Sequence, residues 1–257
     1  MFTFESILIF AILLGLSLSI GSFIGMASYR IPQKMNLGKT DYPNLLGGRS
    51  HCPQCNQVLR KRDLIPILSY LSLRGKCFFC NKKISSRYLL IELAACACFF
   101  TCILASNDNL VRITLFCFMV GLLLSSVIDI EHGLLPDQIT LPLLWIGLIV
   151  NLYLELVPLS AAVLGATLGY TSLWLLFWIY KFLRDKDAFG YGDFKLLAAT
   201  GAWFGFQALP STLLYASITG LIWALLKGFI EKGPIRSIPF GPFISCLLYT
   251  SPSPRDS

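Results

Sequence analysis

Leu159-Ser-Ala-Ala-Val-Leu-Gly-Ala-Thr-Leu-Gly-Tyr-Thr-Ser-Leu-Trp-Leu-Leu-Phe-Trp-Ile-Tyr-Lys-Phe-Leu183 is 25 residues long and carries one charge, Lys181. A bilayer core takes about 20 apolar residues of helix to cross, so this stretch reads as a transmembrane helix. A short charged segment follows, and then Gly190-Tyr191-Gly192-Asp193 opens a second apolar run, Phe194–Phe206, broken only by Lys195 and Thr200. A carboxylate at the mouth of a membrane helix is costly to desolvate and is a functional candidate by default. Gly190 and Gly192 lack Cβ, so they permit unusual backbone angles and let another chain come close. The plain alternative is a turn, since Gly and Asp are common loop residues. A second acidic cluster, Ile128-Asp129-Ile130-Glu131-His132-Gly133-Leu134-Leu135-Pro136-Asp137, ends another apolar run.

Composition agrees with a membrane chain. Of 257 residues, 55% are hydrophobic and 14% charged, with mean hydropathy +0.68; a soluble domain carries about a quarter charged residues. The net charge of +7 is therefore no nucleic-acid signal, and no nucleic-acid partner is expected. Twelve of the 21 Lys and Arg fall between Arg30 and Arg87, opposed only by Asp41 and Asp63. The positive-inside rule produces such clustering in a cytoplasmic loop.

The apolar runs give an all-α polytopic fold of about seven transmembrane helices. Ile7–Met26 lacks a basic n-region and a convincing cleavage site, so it reads as a retained helix rather than a signal peptide. The basic loop follows, from Arg30 to Tyr88. Leu89–Ala105, Leu110–Ile128, Gln138–Leu154, Leu159–Leu183, Asp193–Phe206 and Thr212–Phe229 then cross in alternation. Lys181, Arg184, Lys186, Lys195, Lys227, Lys232 and Arg236 fall at the expected cytoplasmic ends and only Arg112 at an outside end, which supports this parity. It also places Asp129 and Asp193 at one membrane face. The expected organisation is residues 1–29 as the first helix, 30–88 as a cytoplasmic loop, 89–243 as a transmembrane core and 244–257 as an atypical tail. No internal repeat suggests a two-halved transporter.

Cys52-Pro53-Gln54-Cys55 and Cys77-Phe78-Phe79-Cys80 are two C-x-x-C pairs separated by 21 residues. Four thiolates at this spacing suit a closed, structural zinc site, and nearby basic residues favour the thiolate forms. Disulfides, uncommon in a cytoplasmic loop, and free thiols are the alternatives. His51 is a possible ligand but fits better as a neighbour. Cys96, Cys98, Cys102, Cys117 and Cys246 lie in or beside apolar runs and read as small hydrophobes.

Asp129 and Asp193 are 64 residues apart. If their helices pack together, the two carboxylates share a water and a proton, one acting as base and the other as acid. Each is equally readable as a helix-end charge, and Asp193 as an N-cap. Glu131 and Asp137 compete with Asp129, although Asp137, after Pro136 and before a span, fits an N-cap better.

Taken together, several motifs resemble the bacterial type IV prepilin peptidases, also called leader peptidase/N-methyltransferases. They are Gly21-Ser22-Phe23, Tyr29-Arg30-Ile31-Pro32, Ser50-His51-Cys52-Pro53 with Cys55, Ile65-Pro66-Ile67-Leu68-Ser69-Tyr70, Leu73-Arg74-Gly75-Lys76-Cys77, Ile84-Ser85-Ser86-Arg87-Tyr88, Glu92, Ile128-Asp129 with Leu135-Pro136-Asp137, Gly190-Tyr191-Gly192-Asp193 and Ile238-Pro239-Phe240-Gly241-Pro242. The GxGD part is similar to the wider group of intramembrane aspartyl proteases, presenilins included. The resemblance implies an inner-membrane enzyme that removes the basic leader of type IV prepilins or pseudopilins after a glycine, on the cytoplasmic side. It implies N-methylation of the new terminus with S-adenosylmethionine, Asp129 and Asp193 as the catalytic pair, Gly190 and Gly192 as their support, and a zinc-binding loop associated with methyl transfer. The methyl-donor contacts have no sequence fingerprint. A rival of another class is a non-catalytic, zinc-stabilised assembly factor of a pilus or type II secretion machine; a transporter, with acids nearer the midplane, comes third.

The family pattern also implies an eighth helix at the C-terminus. Only Phe243–Tyr249 is apolar there, and Thr250-Ser-Pro-Ser-Pro-Arg-Asp-Ser257 follows. Seven residues of helix reach about 10 Å against a core of about 30 Å. The residues from about Cys246 therefore read as non-native, with the natural frame continuing into an apolar segment.

Overall fold

In a computed structural model, residues 4–37, 49–52, 54–184, 190–231 and 241–242 are described. The expected tail, 244–257, lies outside them. Eight α-helices and one 3-10 turn account for the regular structure of the described residues. The chain forms two compact units, Met1–Ile103 and Leu104–Ser257.

In the first unit, α1 (Phe4–Leu37) continues well past the expected boundary at 29 and carries Pro32 inside it. A 3-10 turn (Lys61–Leu64) and the short α2 (Leu68–Ser72) follow, and then α3 (Arg87–Ala105). The α1 and α3 backbones meet at Gly21, where a Cβ would lie 2.8 Å from Glu92 Cα. Arg87 donates to Ser28 Oγ at 2.6 Å, tying the two helices beside the loop. Among its described residues, the loop between them has little regular structure beyond that turn and α2. Its order comes from isolated bridges, His51 with Val58 and Lys76 with Lys83, and from side-chain anchors.

In the second unit, which holds α4 (Asn109–His132), α5 (Asp137–Leu154), α6 (Leu159–Arg184), α7 (Tyr191–Phe204) and α8 (Ala208–Glu231), α7 packs most extensively against α6 and α5 and less against α8, while α4 packs on α5. Asp108 caps α4, accepting from Leu110 N–H at 2.8 Å. Among the described residues, six helices are long and apolar enough to cross a membrane: α1, α3, α4, α5, α6 and α8. The seventh expected span is α7, which has 14 residues, or about 21 Å at 1.5 Å per residue. It is short of a bilayer core, and residues 193–203 are buried except Lys195. The apolar run Phe194–Phe206 marks this helix without fixing how short it is or how fully its neighbours enclose it.

Two devices hold α7 in place. Gly201 faces Gly165 of α6 so closely that a Cβ on either would overlap the other's backbone. At its far end, Asn151 donates to Ala202 O at 2.8 Å and Trp203 O at 3.1 Å and accepts from Val157 N–H at 3.0 Å. Trp203 Nε1 donates to Leu143 O at 2.9 Å, and its ring packs 4.6 Å from that of Phe118. These bonds satisfy carbonyls that a helix end otherwise leaves orphaned, in a buried place.

Candidate active site and cysteine centre

Asp129 lies in the last turn of α4 and Asp193 in the first turn of α7. Both are buried, at 7% and 6% exposure; a helix-end charge facing water would not be. The Asp129 Oδ2 accepts from Gly241 N–H at 3.0 Å. The Asp193 Oδ2 accepts from Gly190 N–H at 3.1 Å. Gly190 is the N-cap of α7 and Asp193 its third residue, so Asp193 caps backwards rather than serving as the N-cap. The two carboxylates are close enough for the charge on Asp129 to act on Asp193.

The glycines of the motif differ in role. A Cβ on Gly192 would overlap Leu135 Cβ and lie 3.1 Å from its Cδ1. A Cβ on Gly190 would meet only Asp193 Oδ2, at 3.5 Å, which is ordinary contact. Leu135 also lies 3.5 Å from where a Cβ on Gly241 would stand, and Asp129 Oδ2 at 2.8 Å. The structure therefore brings Asp129, Leu135, Gly192 and Gly241 into one place.

The competing acids lie apart from this arrangement. Glu131 is exposed and 4.0 Å from His132 Nδ1. Asp137 is not the N-cap of α5; Pro136 holds that position. Instead Asp137 pairs with Lys195 Nζ at 2.5 Å.

In the loop, the Sγ atoms of Cys52, Cys55, Cys77 and Cys80 all lie within 4.8 Å of one another, and those of Cys52 and Cys80 are 4.0 Å apart. A disulfide needs about 2.05 Å. Tetrahedral Zn–S bonds of about 2.3 Å set sulfur–sulfur edges of about 3.8 Å, so the donor set fits a metal ion. His51 is exposed and outside the cluster. Burial disfavours the Cys52 thiolate, but N–H groups of Gln54 and Cys55 outweigh it and bring the thiol down to about 7. Cys55, although backbone Gln57 lowers it, is pushed up to about 11 by burial and the neighbouring sulfurs. Crowded thiolates exclude one another until a cation joins them.

The two knuckles repeat a geometry. Cys52 N–H donates to Gln57 O and Cys77 N–H to Lys82 O, both at 2.9 Å. The residue after each pair, Asn56 or Asn81, takes a left-handed φ of 55° or 53°, which Asn tolerates better than most residues. The shared C-x-x-C-N pattern was the available signal. Arg60 covers the Phe78 ring at 3.3 Å and pairs with Asp63 at 3.1 Å.

Residues 15–106 match the bacterial peptidase A24 N-terminal domain, and residues 116–225 match the type IV leader peptidase family. The chain belongs to the type IV leader peptidase family. Among curated relatives, the prepilin leader peptidase/N-methyltransferase of Burkholderia pseudomallei (strain K96243) is 41% identical, over 93% of this chain and 82% of the relative. The protein of that name from Dickeya chrysanthemi is 42% identical over 95% and 91%, and that from Dichelobacter nodosus 38% over 89% and 86%. No solved structure matches the chain. The N-terminal match ends three residues past the division between the two compact units and the other lies wholly beyond it, so the cysteine centre belongs to the N-terminal domain and the acidic pair to the leader peptidase part.

Proposed function

We propose that this type IV leader peptidase family member cleaves the basic leader from prepilins or pseudopilins at the cytoplasmic face of the bacterial inner membrane and then methylates the new N-terminal amine. The observation that carries the peptidase half is the burial of Asp129 and Asp193 around one side chain, Leu135, which packs against Gly192 and beside the Gly241 that donates to Asp129. Two such groups share one proton and divide the work. The ionised carboxylate takes a proton from water as the oxygen attacks the carbonyl carbon after the leader's glycine. The protonated one gives its proton to the carbonyl oxygen, and collapse of the tetrahedral species expels the amine, which leaves protonated. Gly190 and Gly192 support the pair, one through its N–H and the other by admitting Leu135. A prepilin is an apolar helix behind a charged leader, and the clustering of Lys and Arg at one set of helix ends supports a cytoplasmic site reached from the bilayer.

The cysteine cluster suits structural Zn²⁺, since four thiolates leave no open position. The relatives' name supports methyl transfer, for which S-adenosylmethionine supplies an electrophilic methyl group. Incubating the purified chain with a prepilin tests the reading. Wild type should release the leader, whereas Asp129→Asn and Asp193→Asn should each abolish release without loss of membrane insertion. Activity in Asp129→Asn together with a dead Glu131→Gln would overturn the assignment.

A further inference from the structure

The N-terminal unit contains a cavity of about 360 Å³, walled by the loop end of α1, the start of α3 and the knuckles, with Cys52 and Cys77 among its lining residues. That volume lies in the range of small-ligand sites. Its polar lining is unlike the surrounding loop. Between Arg30 and Arg87 the chain has twelve basic residues and only two acidic ones, yet one of those two, Asp63, lines the cavity, and so does Glu92 from α3. The Arg60 guanidinium holds Asp63 below the usual carboxylate range. Glu92 is buried and accepts from Ile67 N–H at 2.8 Å through Oε2. Ile67, a β-branched residue, takes a φ of +59° there, a strained conformation that surrounding structure must impose. Tyr29, Tyr70 and Tyr88 supply aromatic wall. Gln33, also lining the cavity, has a buried Oε1 with no hydrogen-bond donor among the described residues.

We propose that this cavity binds S-adenosylmethionine, with Gln33, Asp63, Glu92 and the three tyrosines as its wall. The inference rests on the methyl-transfer reading above. Each feature has a counterpart in the ligand. A sulfonium cation and an α-ammonium are stabilised by carboxylates and by aromatic faces. An orphaned amide oxygen calls for an N–H donor, which the adenine amino group provides. Arg30, on the same wall, matches the ligand's carboxylate. The cysteine centre then has a structural purpose, since its ligands Cys52 and Cys77 form part of the same wall.

Equilibrium dialysis of the detergent-purified full chain against labelled S-adenosylmethionine tests this. Wild type should bind one equivalent per chain. Gln33→Leu should weaken binding about tenfold, the worth of one hydrogen bond, and Ser22→Phe, which fills the cavity from α1, should abolish it. Zinc content and thermal unfolding like those of wild type establish that the variants are folded. Ultraviolet irradiation of the wild-type complex should place the label within residues 22–92. Unchanged binding in both folded variants, or label only within residues 104–257, would overturn the site and leave the methyl-transfer reading standing. A wild type that releases leaders but neither binds S-adenosylmethionine nor methylates would overturn that reading and the site with it.

Discussion

Gly192→Ala and Gly190→Ala add the same methyl group two residues apart, and the structure separates their outcomes. At position 192 the new Cβ overlaps Leu135 Cβ, with Cδ1 and Cγ at 3.1 and 3.2 Å. Overpacking of this kind costs about 1–3 kcal/mol. The first turn of α7 carries Asp193, so relief by tilting that turn moves the carboxylate. A displacement of about 1 Å at a catalytic group lowers rate about 100-fold, and that is the loss expected in kcat/KM for leader release by Gly192→Ala. At position 190 the new Cβ meets one oxygen at 3.5 Å and leaves the N–H in place, so activity should stay within about threefold, the usual span for changes without a clash. The strongest check is the second-site variant: Leu135→Ala removes the colliding atoms and should restore about tenfold or more of the activity lost in Gly192→Ala, a coupling seen only between touching residues. The assay is a gel shift of a prepilin on leader loss, at equal concentrations of folded enzyme. Equal damage from both glycine substitutions, or no recovery in the Leu135→Ala/Gly192→Ala double variant, would refute the steric argument.

Metal analysis should find one zinc per chain, lost together with protease resistance of the loop when Cys52 and Cys55 are both changed to Ser, because a small segment with little apolar core would draw its folding energy from a bound metal. The same variant should lose methylation of the processed pilin more than leader release, as read by mass spectrometry; a proportional loss of both would count against separate sites. Asn151→Leu should destabilise the second unit by about 2–4 kcal/mol, since it leaves buried carbonyls and the Val157 N–H unpaired, and the melting temperature should fall while the zinc content holds.

The spanning helices were legible because lipid imposes a length and an apolar composition that few other contexts demand. The cysteine centre was legible because ligand spacing is local. What escaped the sequence depends on the fold closing. The stop of α7 at Gly205, with φ +76°, and its enclosure by α5 and α6 cannot be told from a spanning run by composition. The role of Gly241 needs residues 112 positions apart to meet; its motif was visible but not its donation to Asp129. Asp137 looked like an N-cap until Lys195 was found beside it, and Glu92 had a motif but no partner until Ile67 folded back over it. Asn56 and Asn81 were readable in principle, as a repeat beyond the cysteines themselves.

The Asn151 clasp at the far end of α7 has an electrical consequence. The inner helix begins at Asp193, beside the end of α4 that carries Asp129, and ends at Trp203, which has no exposure at all; Leu196, Leu197, Ala199 and Ala202 along it have none either. The column behind the acids is filled with protein. Moving one charge through 100 mV is worth about 2.3 kcal/mol, and a bacterial membrane stores such a potential as fuel. Were Asp129 and Asp193 to carry out proton chemistry, the filled column behind them would let it proceed without opening a short circuit.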